Sequence, residues 1–193
     1  MRPTGKNLAD PQIYKSAYFE ASYAKRACIF LSHTRLDKDH VIKVGDYIMQ
    51  SGFDIYLDIY DKELQRAADL GDHQAITQCL EKGIVNSTHM LCCLSEKTKH
   101  SWWVPYEMGY GKSKEHGIAT LLLKDVNLED IPSYLYISDV IKGIKSLNAY
   151  LHKLSQETES LLEKYAQNDI ASPNTIKEFA SPHPLDNYLK WRE

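Results

Sequence analysis

No apolar run in this 193-residue chain approaches the ~18 residues that a membrane-crossing helix needs. An excess of one charge is also missing. Lys and Arg total 23 against 26 Asp and Glu, a net charge of -3, and the pI is near 6.2. Such a balance gives no electrostatic footprint for nucleic acid. The first residues, Met1-Arg2-Pro3-Thr4-Gly5-Lys6-Asn7, have no apolar stretch behind their charges and do not read as a secretory signal. With neither segment, the expected compartment is the cytoplasm and no membrane partner is expected. The four cysteines, Cys28, Cys79, Cys92 and Cys93, form no C-x-x-C, and the eight histidines form no H-E-x-x-H and no paired Cys/His spacing. The cysteines therefore read as small core hydrophobes, and neither a structural nor a catalytic metal is expected. Internal repeats and low-complexity segments are absent too. A hydrophobic share of 43% excludes a disordered or collagenous chain, and the length fits one domain with an appended element.

What is present is an alternation of short apolar runs with amphipathic stretches. Ala27 to Leu31 is continuously apolar, as expected of a strand buried on both faces. Val41, Val44 and Ile48 then recur at helical spacing, with Gly52 as the stop. Phe53, Ile55 and Leu57 alternate with Asp54, Tyr56 and Asp58 and read as a second strand. Residues 59 to 71 read as a long polar connection, and Asp72 as the N-cap of a helix carrying Ala75, Ile76, Cys79 and Leu80. Met90 to Leu94 reads as the third strand, Ile118 to Leu123 as the fourth, and Tyr134 to Ile137 as a short fifth. Ser101 caps the helix between the third and fourth; Pro105 is tolerated in its first turn, where amides lack helical partners, and Gly117 ends it.

The flanks are less defined. Residues 1 to 10 read as flexible. Ile13, Tyr14, Ala17, Tyr18 and Ala21 share one helical face over residues 11 to 25, either a helix docked on the sheet edge or an oligomer contact. After Asp139 one helical segment runs to about Gln167 with a heptad-like stripe of Val140, Ile144, Leu147, Leu151, Leu154, Leu161 and Tyr165. That stripe packs on the domain or pairs with another subunit. Residues 172 to 193 read as an irregular tail with a short anchoring helix from Leu185 to Trp191. The expected division is an N-terminal extension over 1–25, a domain over 26–150, and a helical extension and tail over 151–193.

Alternation of this kind implies an α/β fold, an open parallel sheet with helices on both faces, joined by right-handed crossovers, plus a long C-terminal helix. Ligands bind such sheets beyond the carboxyl ends of the strands. Polar loops follow Leu31, Leu57 and Leu94 at that edge. The segment Ser101-Trp102-Trp103-Val104-Pro105-Tyr106-Glu107 adds chemistry. A spacing of four puts Trp103 and Glu107 on one helical face, a flat wall beside an anionic point. The pair suits a ligand with a planar ring and a sugar that becomes positively charged. Taken blind, however, a Trp and a Glu so spaced are more often a packed core residue and a surface charge.

In order and spacing, Phe30-Leu31-Ser32-His33, Asp37, Gly52-Phe53-Asp54-Ile55-Tyr56-Leu57-Asp58, Leu70-Gly71-Asp72, Ile84-Val85-Asn86-Ser87, Leu94-Ser95 and Ser101 to Glu107 resemble a TIR (Toll/interleukin-1 receptor) domain of flavodoxin-like fold. The size resembles bacterial TIR proteins of antiphage systems such as Thoeris. That resemblance implies an enzyme that takes NAD as substrate, needs no prosthetic group, and makes an ADP-ribose-type signal, often cyclic, for a separate effector protein. It implies Glu107 as the catalytic carboxylate and Trp103 as its neighbour in binding NAD. The Ser32-His33-Thr34-Arg35 loop is implied as the nucleotide contact. Residues 59 to 71 correspond to a mobile loop that helps close a neighbour's site when such domains self-associate; the proline often found there is absent. Nicotinamide leaves from a pyridinium and needs no protonation, so one ionised carboxylate against an oxocarbenium-like sugar suffices, and the helix N-terminus favours the ionised form of Glu107.

Other readings stay open beside these. Arg35 is a phosphate ligand or an exposed loop charge. Asp58 is a ligand contact or a loop cap, and Asp37 a helix cap rather than a ligand. Tyr106 and Tyr110 are core or helix-face residues. At the level of the whole chain, a non-catalytic TIR scaffold and a deoxyribosyltransferase-like enzyme compete with the NAD-cleaving reading.

Overall fold

The computed structural model describes residues 4–13, 27–165 and 182–190. Five parallel strands, β1 (Cys28–Ser32), β2 (Asp54–Tyr56), β3 (His89–Leu94), β4 (Gly117–Leu122) and β5 (Asp139–Ile141), form one sheet in the order β2-β1-β3-β4-β5. This is the doubly wound order of flavodoxin-like folds, whose topological switch lies between β1 and β3. The helices are α1 (Lys38–Gln50), α2 (Lys62–Leu70), α3 (His73–Val85), α4 (Trp103–Ser113) and α5 (Ile144–Tyr165).

Strand side chains alternate between two cores. Ile29, Leu31, Ile55, Leu57, Leu91, Cys93, Ala119 and Leu121 meet Val41, Val44 and Ile48 of α1 and Ile144, Leu147, Leu151 and Leu154 of α5. Cys28, Phe30, Tyr56, Met90, Cys92 and Leu94 meet Leu64 of α2, Leu80 and Ile84 of α3, and Val104 and Met108 of α4. Helices therefore cover both faces, which is why the strands read as unbroken apolar runs. The four cysteines are free thiols, buried except Cys79, and burial pushes Cys28 and Cys93 up to about 12.

Several elements differ from the sequence reading. Residues 59 to 71 are not an irregular connection: a short 3-10 turn, Asp58–Tyr60, leads into α2. Asp61 caps that helix, accepting hydrogen bonds from the Glu63 and Leu64 amides at 2.9 and 3.1 Å. Gly71, at φ 65°, ends it in the left-handed conformation that glycine adopts without strain. The second strand stops at Tyr56, short of Asp58. Tyr134 to Ile137 is not a strand but part of a 3-10 turn, Ser133–Ile137, in which the Leu135 amide donates to the Pro132 carbonyl at 2.9 Å. The fifth strand follows it, so Val140 belongs to the sheet and the C-terminal helix starts at Ile144. Between Pro184 and Tyr188 there are turns rather than a helix, though Leu185 and Leu189 do anchor in the core.

Residues 4 to 10 are also ordered rather than flexible. The Ile55 amide donates to the Lys6 carbonyl at 2.9 Å and the Leu8 amide to the Ile55 carbonyl at 2.8 Å, so this segment closes the β2 edge that would otherwise expose unpaired backbone. Most of the helix expected over 11–25 lies outside the described residues, as do residues 172–181 of the tail.

Candidate active site

The site grows from the carboxyl ends of β1, β2 and β3, beside the switch point. Ser32 ends β1, and Asp58 opens the turn after β2; each lies two residues beyond Phe30 and Tyr56, the last paired couple of the two strands, whose rings stack at 5.5 Å. From the loop after β3, the Ser101 hydroxyl accepts from the Val104 amide at 3.3 Å and so starts α4, as expected of a cap. One turn on, Glu107 points down toward the sheet.

Glu107 is 3% exposed. The Ser32 hydroxyl donates to its Oε2 at 2.6 Å, and among the described residues that is its one hydrogen bond. Burial, and then the nearby Asp58, push its pKa up to about 8, with the Ser32 hydrogen bond acting the other way. The expectation that the helix N-terminus holds Glu107 ionised is thereby corrected. Only the first four amides of a helix are free of helical partners, and Glu107 is the fifth residue of α4. Desolvation outweighs the residual dipole.

Above Glu107 opens a cavity of about 490 Å³, lined among others by His33, Thr34, Arg35, Asp58, Trp103 and Glu107, a volume typical of small-molecule sites (~300–1,000 Å³). Six of the seven residues singled out in the sequence thus share one cavity, and the seventh, Ser32, supports Glu107 from behind. Trp103 meets Tyr106 edge-on at 6.0 Å and Tyr106 stacks on Tyr110 at 6.1 Å; the two tyrosines are helix-face residues. Arg35 is exposed on the rim with Lys38 nearby.

His33 is buried and brings its Nδ1 to 3.0 Å from the Leu31 carbonyl. A carbonyl only accepts, so Nδ1 carries the hydrogen. The same atom is 3.7 Å from Asp58 Oδ1, too far for a hydrogen bond. Asp58 Oδ1 is sealed from solvent with no donor, although the side chain as a whole is 24% exposed. Burial raises the Asp58 pKa, His33 and the Ile59 amide lower it, and Asp61 adds to the rise.

Asp37 does not cap α1 through its side chain. It is buried and accepts from the Ser95 hydroxyl, from Thr98 Oγ1 at 3.4 Å and from Lys97 Nζ at 3.2 Å, tying the loop after β1 to the loop after β3. Nothing in the sequence pointed to Lys38 or to the α2 side chains Leu64, Gln65 and Ala68 in the cavity lining, and Ser101, Ile76 and Leu80, which also line it, are marked there only as helix residues. Capping residues at Asp61 and Gly71, with Leu64 and Ala67 one turn apart, were the available signal for α2. Asn7 was missed as well: its Oδ1 accepts from the Leu57 amide at 3.1 Å and so fixes the residue before Asp58. Among the described residues no group of three or more His, Cys, Asp or Glu converges as a metal site, and no helix is long and apolar enough to cross a membrane.

Comparison with known proteins places this geometry in a family. The chain is 29% identical over 126 residues to a probable 3' cyclic ADP-D-ribose synthase, ThsB', of Bacillus cereus (strain MSX-D12), covering 65% of this chain and 64% of that protein. It is 29% identical over 111 residues to the NAD(+) hydrolase TirS of Staphylococcus aureus (strain MSSA476), covering 55% of this chain and 37% of that one. The chain thus spans less than two thirds of the length of either. A solved structure, the Clostridium botulinum CMP N-glycosidase BcmB, aligns with a TM-score of 0.42 at 16% identity over 66% of this chain and 97% of that one, too loose a superposition to bear on the site. The sequence profile of the TIR domain matches residues 29–160, well over half of the chain, and the chain belongs to the TIR domain family.

Proposed function

We propose that this protein cleaves the nicotinamide–ribose bond of NAD and releases an ADP-ribose-type product, linear or cyclic, that acts as a signal in bacterial antiphage defence. The observation that carries the reading is Glu107: a buried carboxylate held by Ser32 at one oxygen and set at the base of a cavity walled by Trp103. The names of the two relatives, a cyclic ADP-ribose synthase and an NAD(+) hydrolase, support it.

In this reading the pyridinium of NAD brings a positive charge to a carboxyl whose pKa in the free protein is about 8. An opposite charge at close range favours the ionised form. Substrate therefore ionises the group that the reaction needs. As the C–N bond breaks, its electron pair leaves with neutral nicotinamide and the positive charge moves onto the ribose, where Glu107 stabilises it. Trp103 stacks on a ring and keeps water out, and Arg35 with Lys38 on the rim receives the diphosphate. Ser32 orients Glu107, while His33, Thr34 and Asp58 contact the nucleotide.

A scaffold acting by contact alone has no use for a carboxylate buried at the base of a cavity, a placement that costs stability once it ionises. The catalytic domain is assigned to residues 26–150, flanked by extensions that support it. We assign self-association and a separate, nucleotide-activated effector as its partners, and the cytoplasm as its compartment. The test is to incubate the pure protein with NAD and measure nicotinamide. Glu107→Gln should fold and lose about 10²-fold or more of the turnover, as when an electrostatic stabiliser is removed. Turnover by the variant close to that of the wild type would overturn the assignment.

A further inference from the structure

The cavity holds a second carboxylate that formation of the cation does not employ. We propose that Asp58 is the proton acceptor for the hydroxyl that captures the ribosyl cation, so that Glu107 governs cleavage and Asp58 governs capture. This rests on the NAD-cleaving reading above.

The two groups stand on different elements, Glu107 on α4 and Asp58 on the turn after β2, yet line one cavity. Their environments differ in kind. Glu107 is almost wholly buried and takes a hydrogen bond from Ser32. Asp58 has one oxygen sealed away with no donor, while the side chain keeps 24% of its surface exposed. The His33 Nδ1–H is committed to the Leu31 carbonyl at 3.0 Å. A carboxylate deprived of donors at one oxygen holds a proton more readily, and the proton enters through whichever oxygen is open. The raised pKa of Asp58 makes it a stronger base than an ordinary aspartate. Asn7, through the Leu57 amide at 3.1 Å, and the turn itself fix its place.

The step balances. Once nicotinamide has left with the C–N electron pair, an O–H oxygen donates a lone pair to the anomeric carbon, forming the C–O bond. Its proton passes to Asp58 and then to solvent. The nucleophile is a neutral hydroxyl in either case, from water or from the second ribose of the same dinucleotide. Water gives linear ADP-ribose and the ribose gives a cyclic product.

Cleavage without capture is visible as exchange, because the cation can recombine with free nicotinamide. The experiment supplies NAD, labelled nicotinamide and either wild type, Asp58→Asn or Glu107→Gln, and follows both label entering NAD and product formed. Asp58→Asn should lose about 10²-fold of product formation, the lower range for a general base, while label exchange falls by far less, so that the ratio of exchange to product rises about tenfold or more. Glu107→Gln should lose both. Azide, an anionic nucleophile with no proton to shed, should restore nicotinamide release to Asp58→Asn as a glycosyl azide and leave Glu107→Gln inactive. The ratio of linear to cyclic product in the wild type identifies which hydroxyl Asp58 serves. Asp58→Ser repeats the test with a smaller side chain at the turn. Loss of exchange in step with product in both Asp58 variants, or retention of product formation in either, would overturn the proposal. A wild type that neither releases nicotinamide nor exchanges it would overturn the NAD-cleaving reading, and this proposal with it.

Discussion

At the scale of single residues, Glu107 sets a conflict between stability and function. Its carboxyl has an ordinary pKa near 4.5 in the unfolded chain and about 8 in the fold. The folded state therefore holds its proton more tightly, and stability from this group is fully present below pH 4.5 and lost as pH rises through about 8. Glu107→Gln removes that loss. The variant should match the wild type near pH 4.5 and exceed it at pH 8.5 by on the order of 2–4 kcal/mol, read as unfolding midpoints at the two pH values. An equal effect at both would mean that burial does not control the ionisation. Activity should carry the same signature. Since kcat/KM reports the free enzyme and kcat the substrate complex, kcat/KM should climb to about pH 8, whereas kcat should reach its plateau at a lower pH because the bound pyridinium ionises Glu107. Coincident profiles would show that substrate charge does not reach it.

At the scale of elements, α2 decides how complete the cavity wall is. Tyr56 donates to Asp61 Oδ2 at 2.5 Å, and Asp61 Oδ1 caps α2. A Cβ at Gly83 would fall 2.4 Å from the Tyr56 ring, so α3 lies flat on that ring and holds its hydroxyl toward Asp61. Asp61→Ala loses a cap worth ~1 kcal/mol and strands a buried phenol at ~1–3 kcal/mol. Its midpoint should fall by roughly 2–4 kcal/mol in denaturant titration, and its KM for NAD should rise through loosening of Leu64, Gln65 and Ala68; a change under ~0.5 kcal/mol would show that packing alone fixes α2. This helix also marks where the sequence became hard to read. The buried strands announce themselves as apolar runs, and Trp103 and Glu107 by their spacing of four. In α2 only Leu64 and Ala67 are buried among Lys62, Glu63, Arg66 and Asp69, so its charges mask two caps and one apolar stripe. Other features depend on distant partners. Ser32 lies 75 residues before Glu107 and Asn7 lies 50 before Leu57. Neither pairing leaves a local trace, nor does the burial that raises the pKa of Glu107.

At the scale of the whole molecule, the apolar surface that remains outside the cores bears on self-association. The first turns of the α5 stripe do not supply it, because Ile144, Leu147, Leu151 and Leu154 are buried against the chain's own sheet. The cavity rim offers an alternative. Trp102 is 92% exposed and Leu36 73%, and each adjoins cavity-lining residues: Trp102 lies between Ser101 and Trp103, and Leu36 follows Arg35. Large apolar groups left in water at one mouth are characteristic of a contact surface, and Trp is enriched at the energetic centres of interfaces. A net charge of only -3 offers little long-range repulsion between copies. If a second copy covers this rim, a closed site exists only in the assembled state, and occupancy of that state follows protein concentration. Specific activity should then rise with concentration in a dilution series, in parallel with the mass seen by sedimentation. Trp102→Ser should leave the unfolding midpoint within ~0.5 kcal/mol, as for a surface site, while moving both curves to higher concentration. Charge reversal at Lys62 and Glu63, exposed on the first turn of α2, tests whether that helix shares the contact. A protein that sediments as a monomer throughout, with constant specific activity, would show that a single chain completes its own site and that the exposed tryptophan serves some other contact.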